Sequence, residues 1–222
     1  MKKLLTAILL AAMLISVFGC GAKPGKDGNS TAEPTESAGD APMTLSFESI
    51  GAFSEFAAST ALDDAAFEAY MLDNSLGLYG IGSRAEAADA AEQISGLPLP
   101  ACEGYELRQI SYTPGHGECT MANAGADGQI CNFCFSTAPD GTGLYDKALS
   151  SYSCTEESPS PTSGFQKLCR IENSGSSSVT SFFALIDGRY ALIRVRNVEG
   201  DPFEDCLAGF TFSLLEDSIK GQ

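Results

Sequence analysis

Two periodicities divide the chain. From Ser49 to Ile94, apolar residues return every three or four positions; from Tyr105 onward they alternate in short runs cut by Gly, Asp and Ser. Ile50, Phe53, Phe56 and Ala57 behind Ser49 predict a first amphipathic helix, with Thr44–Phe47 as a short strand before it. Asp63-Asp64 opens a second helix whose apolar side is Ala66, Phe67, Tyr70 and Met71, ending near Asn74-Ser75. Ser83-Arg84-Ala85-Glu86 is a capping-box pattern, and the Ala-rich run behind it to Ile94 makes a third helix that stops at Gly96, before Pro98 and Pro100.

The second half reads as β-structure. Tyr105–Thr113, Glu118–Asn123 and Gln129–Ser136 form a meander, and Gly125-Ala126-Asp127-Gly128 is its second connection. Ala138–Gly143 reads as loop, Leu144–Tyr152 as one or two helical turns, and Ser158–Gly164 as a Pro/Ser loop. Phe165–Ile171 and Val179–Asn197 return to strand. Asp187-Gly188 divides the latter and is the strongest hairpin signal in the chain. Asp201-Pro202-Phe203-Glu204 combines an N-cap, a first-turn proline and a capping acid, so a short helix is expected there, followed by an edge strand at Phe210–Ser213. Helices first and strands second predict an α+β domain: N-terminal helices packed on an antiparallel sheet of five or six strands, with a short C-terminal helix.

The beginning of the chain has another character. Met1-Lys2-Lys3 is charged, Leu4–Phe18 is apolar and uncharged, and Gly19 precedes Cys20. Leu14-Ile15-Ser16-Val17-Phe18-Gly19-Cys20 resembles the lipobox of bacterial type II signal peptides, although Phe18 is bulkier than that pattern prefers. The resemblance implies cleavage before Cys20 and acylation of its thiol. Two or three acyl chains, at about 0.8 kcal/mol per buried methylene, would hold the product on the extracytoplasmic face of the cell membrane. The apolar run of about fifteen residues is short of the roughly twenty that cross a bilayer core. Residues 21–42 hold no large apolar side chain and read as a tether spanning roughly 25 Å as a flexible coil. The predicted division is therefore a signal peptide at 1–19, lipidated Cys20 with its tether to residue 42, and a single domain over 43–222.

Charge changes the picture next. Of 13 basic residues, removal of Lys2 and Lys3 leaves 11 against 29 acidic ones, a net charge of −18. This balance speaks against nucleic acid and against a basic membrane-binding face, leaving the acyl chains as the membrane contact. Leu97-Pro98-Leu99-Pro100 followed by Glu103-Gly104-Tyr105-Glu106-Leu107 resembles small extracytoplasmic domains of Gram-positive lipoproteins, which carry a Leu-Pro-x-Gly-Tyr-x-Leu segment before a β-meander. Cys102 interrupts that pattern here.

Seven cysteines remain after Cys20: Cys102, Cys119, Cys131, Cys134, Cys154, Cys169 and Cys206. Outside the cytoplasm, disulfides are the default for such a set, and the odd count leaves one thiol over. If Gly125–Gly128 form a four-residue loop, Ala124 opposes Gln129 and Cys119 falls directly across from Cys134, which predicts a cross-strand bridge. Cys154 with Cys169 would close the Pro/Ser loop. Cys102 with Cys206 would tie the first strand of the meander to the last helix, leaving Cys131 free. Cys131-Asn132-Phe133-Cys134 lies within a strand, where residues three apart point to opposite faces, so a redox or zinc reading of this Cys-x-x-Cys is disfavoured.

Other motifs have ordinary explanations. Gly80-Ile81-Gly82-Ser83-Arg84-Ala85 fits a dinucleotide fingerprint but lacks a parallel βαβ setting, and reads as a helix-start turn. His116, the only histidine, sits between Gly115 and Gly117 in an expected exposed turn. Arg194 and Arg196 share one face of a strand and could receive a carboxylate or phosphate, with pairing to the protein's own acids as the simpler expectation. No cofactor or metal is expected. The reading is a non-catalytic binding or regulatory module; the alternative is an extracellular enzyme, either a carboxylate-based hydrolase or a thiol-disulfide protein.

Overall fold

A computed structural model describes residues 43–159, 163–172 and 178–220. The predicted signal peptide, Cys20 and the tether lie outside these residues, as does the centre of the predicted Pro/Ser loop. The fold is α+β, with a larger sheet than expected: eight antiparallel strands in the order β1-β3-β4-β5-β9-β8-β7-β6, and a separate two-stranded sheet of β2 and β10. The strands are β1 Leu45–Phe47, β2 Pro98–Ala101, β3 Glu106–Thr113, β4 Glu118–Ala124, β5 Ile130–Ser136, β6 Cys154–Glu156, β7 Phe165–Ile171, β8 Val179–Ile186, β9 Arg189–Arg196 and β10 Thr211–Leu214. The α-helices are α1 Ile50–Ser59, α2 Asp64–Asp73, α3 Arg84–Ser95, α4 Gly141–Ser151 and α5 Leu215–Lys220.

The three N-terminal helices begin where their caps place them. Ser49 Oγ accepts from Ala52 N, Asp63 Oδ1 from Ala66 N and Ser83 Oγ from Glu86 N. Asp187 (φ 50°) and Gly188 (φ 72°) make the tight β8–β9 turn, both in the left-handed region that a two-residue hairpin of this kind requires. At Asp201 the local chemistry is as expected, since Asp201 Oδ1 accepts from the N–H groups of Phe203 and Glu204. The product is a turn leading to one 3₁₀ turn at Leu207–Gly209, and the short C-terminal helix is α5 instead.

β2 and β6 were not anticipated. β2 pairs with β10 through Leu99↔Ser213 and its neighbours, so Pro98 and Pro100 sit at alternate positions of an edge strand, where a missing N–H costs nothing. Leu76–Tyr79 is a 3₁₀ turn.

The β4–β5 connection corrects the register. Ala124 pairs with Ile130, making the loop five residues long, Gly125–Gln129, closed by Gly125 N donating to Gln129 O at 2.9 Å. Tyr105 Oη donates to Gln129 Oε1 at 3.0 Å, which holds Gln129 in the loop and out of the strand. A shift of one residue turns every side chain to the other face. Cys119 therefore opposes Phe135 and points into the core, whereas Cys134 opposes Thr120 and points the other way. The predicted Cys119–Cys134 bridge is excluded by that geometry.

The sheet's two faces are unequal. One carries Phe47, Ile110, Tyr112, Met121, Phe133, Phe135, Phe182 and Ile193, and packs with Phe53 and Phe56 of α1, Ile94 of α3, and Phe210 into one large core. Among the described residues, the other is covered by a helix at the β7–β8–β9 end, where Tyr145 of α4 closes a small cluster with Cys169, Ile171, Phe183 and Leu185.

Candidate functional site

Beyond α4, the outer face of the sheet is half-buried and mixes polar with apolar side chains, which pairing lines into rows. Ala122, Asn132, Arg194 and Ser181 lie side by side across β4, β5, β9 and β8. The next row holds Ala124, Ile130, Arg196 and Val179; on the other side run Ser111, Thr120, Cys134 and Leu192. Arg194 and Arg196 thus sit two residues apart on β9, next to Asn132 and Cys134 of β5.

The ion pairs among the described residues use Arg84, Arg108, Lys167 and Arg170. Arg194 and Arg196 form neither an ion pair nor a hydrogen bond with a described residue, which replaces the expectation that the protein's own acids would neutralise them. Arg196 Nε and Asn132 Oδ1 are also buried atoms without a hydrogen-bond partner. Such groups cost free energy unless something satisfies them. Burial pushes the Cys134 thiol up; a hydrogen bond with Thr120 and the Arg194 charge oppose this, and Glu118, whose Oε2 lies 3.9 Å from Cys134 Sγ, adds to it.

Two grooves flank the sheet. Tyr145, Leu149, Tyr152, Cys154, Glu156, Lys167 and Cys169 line one of about 340 Å³ beside α4, with Lys167 Nζ 5.4 Å from the Tyr145 ring centre. Cys154 and Cys169 lie on adjacent strands two positions out of register, and their thiols are in hydrogen-bond contact. Burial, then Cys154, push the Cys169 thiol up to about 12. Asp89, Glu92, Gln93, Gly96, Thr137, Pro139 and Arg189 line the second groove, of about 450 Å³. Arg189 already donates to the carbonyl oxygens of Thr137 and Ala138 at 3.3 Å each.

All seven described cysteines are thiols, so none of the three predicted bridges is formed. The structure nevertheless draws Cys102 and Cys206 into one cluster, and adds to it Cys131, which was expected to stand alone. Tyr105, which the sequence marked only as part of the Gly-Tyr-x-Leu segment, joins them beside Cys206.

The remaining motifs are placed as follows. Gly82 N donates to Glu86 Oε2 at 2.7 Å, so the protein's own carboxylate takes the amide that a dinucleotide phosphate would need. His116 is exposed in the β3–β4 turn, where its N–H bonds Thr113 O at 3.2 Å. Cys131 and Cys134 face opposite sides of β5. Among the described residues no group of His, Cys, Asp or Glu could hold a metal ion, and no helix is long and apolar enough to cross a membrane.

Among the described residues, the arrangement defines an α+β domain with one sheet face packed and the other less covered, carrying two guanidinium groups without ion-pair partners. No family model matches the chain, and neither a curated protein nor a solved structure matches it.

Proposed function

We propose that this chain is a bacterial lipoprotein, acylated at Cys20 and held on the extracytoplasmic face of the cell membrane. Residues 21–42 form its tether, and its α+β domain is a binding or regulatory module without catalysis. The bare face of the sheet is the binding surface. The observation that carries this reading is the pair Arg194 and Arg196, left without hydrogen bonds or ion pairs among the described residues of a strongly acidic chain. On such a background, cations are the scarce resource, and two on one strand without partners suit an anionic group. Asn132 beside them offers the amide donors and acceptor that would orient a carboxylate or phosphate. The grooves, of about 340 and 450 Å³, lie at the low end of ligand pockets, and neither is lined by Arg194 or Arg196, so a partner lying across the sheet fits this pair better than a small molecule held in a groove.

Two experiments test the parts separately. Replacing Cys20 by Ser should leave an unacylated, uncleaved precursor, read by mass spectrometry of the membrane fraction; normal maturation of that variant sinks the anchor. Titrating the labelled protein with inorganic phosphate, succinate and a Glu-rich peptide, while following amide and guanidinium NMR signals, tests the face. Shifts centred on Asn132, Arg194 and Arg196, abolished by R194Q/R196Q, are expected; shifts elsewhere, or none with any probe, overturn it.

A further inference from the structure

Three thiols meet at the end of the domain where β2, β5 and the turn after Asp201 converge. Cys131, on the core face of β5, is fully buried, and Cys206, 3 % exposed, sits at the start of the Leu207–Gly209 turn. The two thiols lie close enough to shift each other's titration. Cys102 follows β2, is only half-buried and packs against the same core. Its sulfur would lie 2.9 Å from a Cβ placed on Gly209, three residues beyond Cys206. Tyr105 completes the group: its ring lies 5.2 Å from that of Phe210, and its hydroxyl, which donates to Gln129 Oε1, is close enough to Cys206 for the two to influence each other.

Only two of three sulfurs can pair at a time. We propose that Cys102, Cys131 and Cys206 form one thiol–disulfide exchange site in which Cys206 is the common partner, bonded either to buried Cys131 or to half-exposed Cys102. A small disulfide such as oxidised glutathione is the oxidant. In the first reaction it takes two electrons from Cys131 and Cys206; their sulfurs join, and the small disulfide leaves as two thiols carrying the two protons. In the second, the Cys102 thiolate attacks the Cys206 sulfur. The Cys131–Cys206 bond breaks with its electron pair going to Cys131, which takes up a proton, and Cys102–Cys206 forms.

The two states differ in which thiol is left over. With Cys131–Cys206 bridged, the spare thiol is Cys102, which solvent can reach. With Cys102–Cys206 bridged, it is Cys131, sealed in the core and inert. The site therefore displays or withdraws a solvent-accessible thiol without a change of fold. The electrostatics agree with Cys206 as the hub: the hydrogen bond from Cys131 lowers its thiol against the penalty of burial, and Tyr105 adds to this. Burial, with hydrogen bonding to Cys206, holds Cys131 well above the ordinary thiol range.

The test uses the full-length protein in detergent, equilibrated with oxidised and reduced glutathione, trapped by alkylation and mapped without reduction. Wild type should show Cys206 linked to Cys131, to Cys102, or to both. C102A should keep Cys131–Cys206, and C131A should convert entirely to Cys102–Cys206. In oxidised C131A the alkylation rate of Cys102 should fall at least about tenfold against reduced C131A, because a bridged sulfur is no nucleophile. C206A should leave Cys102 open to glutathione. A Cys206 that stays reduced in wild type, or a Cys102–Cys131 bridge as the main product in wild type, overturns the proposal. Should C131A melt early, C102A and wild type decide the matter: Cys206 must be bridged in both.

Discussion

The two faces of the sheet are made from the same strands, and alternate residues of one segment serve opposite purposes. On β5, Cys131, Phe133 and Phe135 enter the large core, while Asn132 and Cys134 between them meet an open surface. The packed face specifies the fold through area and shape; the bare face carries groups that folding leaves unused. Stability is therefore expected to be concentrated on one face and recognition on the other.

Breaking the packed face should have the largest effect. Phe133 is fully buried, with ring centres 5.0 Å from Phe210 and 5.7 Å from Phe212. Phe133→Ala should cost about 3–5 kcal/mol in denaturant unfolding, whereas Asn132→Ala next to it should stay within about 0.5 kcal/mol or stabilise, since it removes an unsatisfied buried oxygen. Equal losses at the two positions would erase the distinction between the faces.

The one covered end of the outer face gives the next test. Gly141 starts α4 directly against the β8–β9 turn, where a Cβ would overlap the Gly188 carbonyl oxygen and lie 2.6 Å from Tyr190 N. Gly141→Ala should lift α4, costing about 1–3 kcal/mol and raising hydrogen exchange in α4 while the large core stays protected. Uniform deprotection would show that α4 and the core unfold as one.

A smaller effect is expected from the polar brace at the edge of the packed face. Arg170 Nη2 meets both carboxylate oxygens of Asp201 at 2.8 and 2.9 Å, and its Nε meets Glu157 Oε1 at 2.6 Å. Burial raises the Asp201 carboxyl, but Arg170 and the N–H groups of Glu204 and Phe203 outweigh it and hold the carboxyl below its ordinary range. A carboxyl depressed by folding contributes stability in full above its unfolded value, about 3.9, and loses it as pH falls through the folded one. Asp201→Asn should cost about 1–2 kcal/mol at pH 7, with solvent screening allowed for, and the gap to wild type should close only below about pH 4. An unchanged gap at pH 2 would assign the loss to the turn's N–H bonds alone. Smallest of all, R194Q/R196Q should leave the melting midpoint within about 0.5 kcal/mol of wild type, in keeping with a face reserved for binding.

The parts of this molecule legible in the sequence are those decided locally. Ser49, Asp63 and Ser83 announce their helices because a cap needs only its own first turn, and Asp187-Gly188 announces its hairpin for the same reason. The β4–β5 register was not legible, because it depends on Tyr105 reaching across to hold Gln129 in the loop, a contact from 24 residues away. β2 was hidden by its prolines, which argue against a strand until β10 supplies a partner on the side where no proline N–H is needed. That Arg194 and Arg196 share a face follows from alternation. That they are unpaired does not, since acids are abundant enough in the sequence to have neutralised them anywhere. The pairing of Cys102 with Cys206 could be guessed from the sequence, but the place of Cys131 beside them could not, since three segments with no common motif meet there only after folding.

The pairing of β2 with β10 also sets a schedule. The penultimate element of the chain completes a sheet begun more than a hundred positions earlier, as Leu99↔Ser213 records, and β5 likewise waits for β9. Segments so far apart close slowly, because the entropy of the intervening loop is lost before any contact repays it. A nascent chain lacking its last dozen residues would have α1–α4 but neither α5 nor β10, nor the cover β10 provides for Phe133 and Phe165. The domain thus reaches its native state only once residues 211–214 are present to close the pairing with β2.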